Sequence, residues 1–201
     1  MCRCWHDSSR SRGARCTSSI SRVRKAPTLE TLKVIFPEGM NVQEMGLRVG
    51  EVRVIAIRKR EVTPKLTRAR YLRAVKAARP PKQFLADWQR GSMEGFLFPA
   101  LYEFTQFTTG DELVSAQLDA FRANFAKVGM AYARSRNLTA YDVLKVASMI
   151  EKETVEPKER ALVAAVIYNR LKARMPLGID ATIRYGLKIP GTKSLTKAAL
   201  A

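Results

Sequence analysis

Residues 143–154, VLKVASMIEKET, hold the chain's best candidates for acid–base chemistry. Cys2, Cys4, Cys16 and His6 all fall within the first 16 residues, and no Cys or His follows them. The remainder therefore cannot carry a Ser-His-Asp triad, a Cys-His dyad or a histidine metal site. Catalysis there must run on carboxylates, hydroxyls, amides, Lys or Arg. The Cys-x-Cys-x-His spacing at the start fits no common zinc site, so no metal is expected.

The helical periodicity of 143–154 separates its two glutamates. With Ile150 at 0° and an advance of about 100° per residue, Val143, Val146 and Ala147 fall within about 60° of it and form the apolar stripe. Glu151 falls at about 100°, on the flank, and Glu153 at about −60°, beside Val146. Glu153 is thus expected at the edge of the apolar face, partly buried, at the negative end of the helix dipole. Both conditions disfavour the anion and favour the protonated form that a general acid needs. Its i±4 neighbours, Met149 and Pro157, are not basic. The alternative is a structural carboxylate paired with Arg160, Arg170 or another arginine.

The elements that must hold this helix are legible in outline. Thr139 with Asp142 has the form of a capping box opening it, and Thr109 with Glu112 opens another helix of about 20 residues. In that second helix Val114, Leu118, Phe121, Phe125 and Val128 recur at helical spacing. Pro157 suits the first turn of a third helix running to about residue 173, whose uncharged ALVAAVIY at 161–168 predicts a core helix. Upstream, TLKVIF at 31–36 predicts a strand, and Asn41 with Glu44 a short helix near 42–49. VRVIAI, within 52–62, predicts a second strand followed by a basic turn. TRARYLRAVKAAR at 67–79 predicts a helix that Pro80 and Pro81 stop, with a further turn or two over 83–90. Residues 1–27 are rich in Ser and Arg without apolar period and are expected to be a disordered basic tail. They contain no secretory h-region, and no stretch of the chain is long and apolar enough for a membrane span.

Charge is unevenly spread over the 201 residues. Of the net +18, residues 31–90 hold 14 basic against 5 acidic side chains, while 91–201 hold 15 against 11. The second half is close to an ordinary soluble domain, so the charge does not make the whole chain a nucleic-acid binder.

Several ordered motifs carry a resemblance. ASMIEKET at 147–154, ER at 159–160, YNRL at 168–171, MPL at 175–177 and D-x-T-x-x-YG at 180–186 closely resemble the endolytic murein transglycosylases, the YceG-like or MltG family. MEGFLFPALYEF at 93–104 resembles that family's EGFLFPDTYEF-like segment, and FPEGMNVQEM at 36–45 is similar to part of its LysM-like module. The strong resemblance covers roughly residues 93–187. It implies an α+β protein, with a small basic LysM-like module at 28–82 followed by a mainly helical, lysozyme-like catalytic domain over 83–201. It implies cleavage of the β-1,4 bond between N-acetylmuramic acid and N-acetylglucosamine within peptidoglycan strands, leaving 1,6-anhydro ends, with no cofactor. It carries the catalytic role to Glu153. Glu94, Tyr102, Asn169 and Asp180 are candidates for a sugar groove, with Arg160 and Arg170 as orienters of carboxylates. Phe96, Phe98 and Phe104 are expected in the core rather than as a sugar platform.

The resemblance also implies cell-wall synthesis proteins as partners and a cytoplasmic-membrane location with the catalytic domain facing the wall. The chain departs from the family pattern in four respects. It has no N-terminal membrane anchor. It has Ala100 in place of an Asp. Gly178 and Ala181 stand where Gln and Pro are usual. It ends at Ala201, before the family's downstream segment. It is therefore expected to be truncated at both ends. Two other functions stay open: an inactive family fragment that binds glycan, and a basic nucleic-acid-binding module at 48–90 with Tyr71, Phe84 and Trp88 as its aromatics.

Overall fold

The computed structural model describes residues 30–88, 91–187 and 189. The 1–27 tail, with its Cys/His cluster and its expected disorder, lies outside the described residues. The chain folds as a small two-stranded sheet with helices, an α+β arrangement.

Strand β1 (Leu32–Ile35) alternates buried Leu32 and Val34 with exposed Lys33 and Ile35, the period of a half-covered strand. Helix α1 (Val42–Arg60) starts at a complete capping box: Glu44 N–H donates to Asn41 Oδ1, and Asn41 N–H to Glu44 Oε2. The strand expected within 52–62 does not form, because α1 runs straight through it. Met45, Val49 and Ala56 lie on one helical face and are buried, and the β-branched run of VRVIAI yields to that packing. The expected basic turn is α1's last turn, where Arg58, Lys59 and Arg60 face the negative end of the dipole.

Helix α2 (Arg68–Ala77) is capped by Thr67 and is followed by Pro80 and Pro81, as its sequence predicts. A single turn at Lys82–Phe84 leads toward strand β2 (Leu101–Phe104). β2 pairs antiparallel with β1, Val34 facing Tyr102 and Leu32 facing Phe104. The larger core packs the sheet against α1, α2 and helix α3 (Gly110–Phe125). It therefore runs across residue 82. α3 keeps the capping box of Thr109 and Glu112 but is shorter than expected, and Val128 lies beyond it, exposed. In the core centre Tyr71 O–H donates to Gln117 Oε1 at 2.9 Å, and Gln117 Nε2 donates to Met45 Sδ. Burial pushes the Tyr71 hydroxyl far above its ordinary value. Tyr71 and Phe84 are fully buried and the half-buried Trp88 lies against the Arg79 guanidinium, so the first two offer no face to a nucleic-acid base.

A second, smaller core follows the short helix α4 (Ala131–Ser135). It lies between helices α5 (Ala140–Glu153), α6 (Arg160–Lys172) and α7 (Asp180–Leu187), around Val146, Ile167 and Ile179. α5 joins the two cores. Its first turns, through Ala140, Tyr141 and Leu144, pack on the larger one, and Val146, Met149 and Ile150 enter the smaller. The core helix expected at 161–168 is not one here: in α6 Ile167 is buried, but Leu162 is 68% exposed and Val166 44%. Only one side of α6 meets α5, so its uniform apolarity exceeds the burial available to it.

Candidate active site

The C-terminal end of α5 gathers the charged groups. Glu153 is its last residue and is exposed. The partial burial expected from the helical wheel is absent. Val146 is covered by Ile167 and Ile179, but α5 contributes nothing beyond Ile150 to the small core, so by residue 153 the helix has outrun its cover. Glu153 does stand at the C-terminal end of its helix, as the sequence predicts.

The arginines that could have neutralised Glu153 are engaged elsewhere. Arg160 Nη2 lies 3.3 Å from Glu151 Oε2, so the flank glutamate takes the ion pair. Arg160 Nε is buried without a hydrogen-bond partner. Arg170 Nη1 donates to the Leu177 carbonyl and so fastens the loop before α7. Gly178 in that loop has φ +58°, and a β-carbon there would stand 3.1 Å from Arg170 Nη1. A glycine at this position thus suits both the backbone and the arginine. Among the described residues no ion pair or hydrogen bond reaches the Glu153 carboxylate.

The turn after α5 is built by Thr154, which is buried. Its Oγ1 donates to Glu159 Oε2 at 3.0 Å and accepts from Glu156 N–H at 3.1 Å. These bonds fix the exit of the chain from α5, and with it the orientation of the helix end.

Across from this end stands Glu94. Both its oxygens lie 3.0 Å from Val42 N, so the carboxylate accepts an N–H from the first turn of α1. Burial pushes the Glu94 carboxyl above its ordinary range; the Val42 N–H and the Lys152 charge oppose that, and Glu44 adds to it. Lys152 Nζ reaches over the turn before α1, 3.7 Å from where a β-carbon on Gly39 (φ +76°) would stand. The MEGF segment and the EKE segment, 58 residues apart, therefore meet at the α1 N-terminus.

The other candidates do not converge on Glu153. Tyr102 O–H donates to the Phe98 carbonyl at 2.8 Å, and burial pushes that hydroxyl up to about 12. Asn169 is exposed on α6, and Asp180 is exposed at the start of α7. Among the described residues no cluster of three or more His, Cys, Asp or Glu could hold a metal ion.

A sequence model described as the YceG-like family matches residues 11–201. The chain belongs to this family. Among its YceG-like relatives, a protein of Streptococcus pneumoniae strain D39 named endolytic murein transglycosylase is 30% identical over 172 residues, covering 79% of this chain and 30% of the relative. One of the same name from Bacillus subtilis is 33% identical over 93 residues, covering 46% of this chain and 26% of the relative. The chain thus spans between a quarter and a third of the length of these relatives. A crystal structure of a YceG-like protein from Listeria monocytogenes matches with a TM-score of 0.65 at 24% identity, over 83% of this chain and 55% of that one, and so shares its fold.

Within this YceG-like chain, sequence reasoning missed Thr154 and Lys152. Thr154 was visible as the residue following the EKE run, where a hydroxyl can satisfy the helix exit. Lys152 had no signal, because its neighbours Gly39 and Glu94 come from distant segments. Glu94 yields a testable contrast. Glu94→Ala removes the acceptor of Val42 N–H and is expected to cost about 1 kcal/mol. Glu94→Gln keeps an acceptor and removes a partly buried charge, so stability at neutral pH should equal or exceed that of the parent. A raised carboxyl contributes stability that is complete below the ordinary carboxylate range and lost as pH rises through the raised value. The Gln variant should therefore flatten that part of the stability–pH profile in urea titrations. Equal losses for Gln and Ala would mean that the charge, not the acceptor, holds α1.

Proposed function

We propose that the protein is a peptidoglycan lytic transglycosylase that cleaves the N-acetylmuramic acid–N-acetylglucosamine β-1,4 bond within glycan strands, with Glu153 as its single acid and base. The observation that carries this reading is an unpaired Glu153 at an open helix end, beside a Glu151 already committed to Arg160. Glu153 donates a proton to the glycosidic oxygen leaving C1 of the muramic acid. The muramic acid 6-hydroxyl oxygen then bonds to C1, and its proton passes back to the Glu153 carboxylate. The C1–O4 bond breaks, the C1–O6 bond forms, the leaving sugar gains a 4-hydroxyl, and no water is consumed. A water-activating second carboxylate is not needed, in contrast to inverting glycosidases. Glu94, Asn169 and Asp180 are the proposed groove residues, with hydroxyl and acetamido groups as their targets.

The basic module over 28–82 is proposed as LysM-like, a reading that the β1–α1–α2–β2 order with antiparallel strands supports. Cell-wall synthesis proteins as partners, and a site of action at the outer side of the cytoplasmic membrane, belong to the same proposal. No helix among the described residues is long and apolar enough to cross a membrane.

The test is digestion of purified glycan strands with products resolved by mass. Anhydro ends, one water lighter than reducing ends, are expected. Reducing ends would overturn the single-residue mechanism. Binding without cleavage would support the second reading, a glycan-binding chain.

A further inference from the structure

Helix α1 has two apolar faces and only one of them is covered. With Met45 as origin, the buried Met45, Val49 and Ala56 lie within about 40° of each other. Leu47, Val54 and Arg58 lie within about 40° of each other on the opposite side, with Ile55 and Ile57 on the two flanks. All four aliphatic residues are exposed, Ile55 by 52%. α1 packs on α2 and β1 through its other face. The exposed face carries cations. Arg58 has no hydrogen-bond or ion-pair partner among the described residues, and Arg68 of α2, exposed and likewise without one, comes alongside at Gly50; Lys59 falls within about 40° of Met45, on the covered side. Of the acidic residues near this face, Glu51 pairs with Arg48 at 3.2 Å and Glu44 closes the capping box at the far end, while Glu61, the exposed C-cap of α1, stands at the helix end.

We propose that this face of α1 is a docking surface for an anionic lipid bilayer, with the helix lying in the interface plane. The combination selects that occupant. A nucleic acid or an acidic wall polymer would use Arg58 and Arg68 but gains nothing from Leu47, Val54 and Ile55. A lipid interface uses both, the aliphatic row entering the acyl boundary and the cations meeting the headgroups. The inference does not rest on glycan cleavage and survives its failure.

The experiment is sedimentation of the full chain with vesicles of equal parts phosphatidylglycerol and phosphatidylcholine, against phosphatidylcholine alone. Binding to the anionic vesicles and little to the neutral ones is expected. Arg58→Gln with Arg68→Gln should weaken it by roughly 25-fold, about fivefold per cation. Val54→Gln with Ile55→Gln, which leaves the charge unchanged and replaces two half-exposed side chains, should weaken it by about tenfold or more. Circular dichroism establishes that both variants keep the parent's helix content. Binding that survives the Val54/Ile55 change overturns the proposal in favour of an anionic polymer. Equal binding to neutral vesicles, or none to either, overturns it as well.

Discussion

Glu153→Gln is expected to lower turnover on purified glycan strands by about 10²–10⁴, the usual cost of losing a positioned general acid–base. The substitution preserves size and helix propensity but can neither donate a proton to the glycosidic oxygen nor recover one from the 6-hydroxyl. Glu153 is exposed and makes no ion pair or hydrogen bond among the described residues, so the fold should be indifferent to the change. The thermal midpoint and helix content are expected to match the parent. Glu151→Gln is the informative contrast. Glu151 lies one residue before Lys152 on the same helix, but its carboxylate is held by Arg160 on a partly solvated pair. Such pairs contribute little to stability, and losing this one should leave most of the turnover in place. Thr154→Val belongs with them, because it keeps the side-chain shape while removing the hydroxyl that ties α5's exit to Glu156 and Glu159. If Glu151→Gln abolishes activity and Glu153→Gln retains it, the assignment of the catalytic role to Glu153 is wrong.

The sequence carried local structure well where local signals sufficed. Asn41/Glu44, Thr109/Glu112 and Thr139/Asp142 each open a helix in the structure with reciprocal bonds, because a capping box is closed within four residues. β1 showed in its alternation. What failed depended on partners far away in the chain. VRVIAI looked like a strand because β-branched residues favour one, yet the helix started at Asn41 buries Met45, Val49 and Ala56 together and continues to Arg60. β2 completes a sheet with a segment almost 70 residues earlier, and nothing within LYEF announces that pairing. α6 read as a core helix from its lack of charge, but whether an apolar helix is buried depends on how many neighbours it meets. The same limit governs the site. The wheel could place Glu153 next to Val146 in angle but could not say how far along α5 the cover extends. The approach of Lys152 to Gly39 and Glu94 arises only once α5 has been laid against the first core.

Phe96→Ala is expected to destabilise the protein by about 3–5 kcal/mol, a large part of the total stability of a domain this size. Phe96 is fully buried in the MEGFLFP segment. Its ring meets Phe84 edge-on at 5.1 Å, Phe121 of α3 at 5.4 Å and Tyr141 of α5 at 5.8 Å, nearly parallel to the last. Three elements thus lose a common contact when the ring is removed, and a cavity is left among aromatic rings that are themselves packed against Phe125 and cannot simply close in. The consequence reaches the site, because Tyr141 is one of the residues by which α5 is fastened to the larger core, and Glu153 stands at α5's far end. Urea titration should show a lower midpoint with little change in slope. Activity should fall in step with the folded fraction and recover partly on cooling toward the temperature of maximum stability. Phe107→Ala provides the comparison, since Phe107 is half exposed and touches mainly the Lys65 ammonium; its cost should stay near 0.5 kcal/mol. A loss below about 1 kcal/mol for Phe96→Ala would show that the aromatic cluster does not join α5 to the rest of the molecule, and the anchoring of Glu153 would then have to come from α6 and α7 alone.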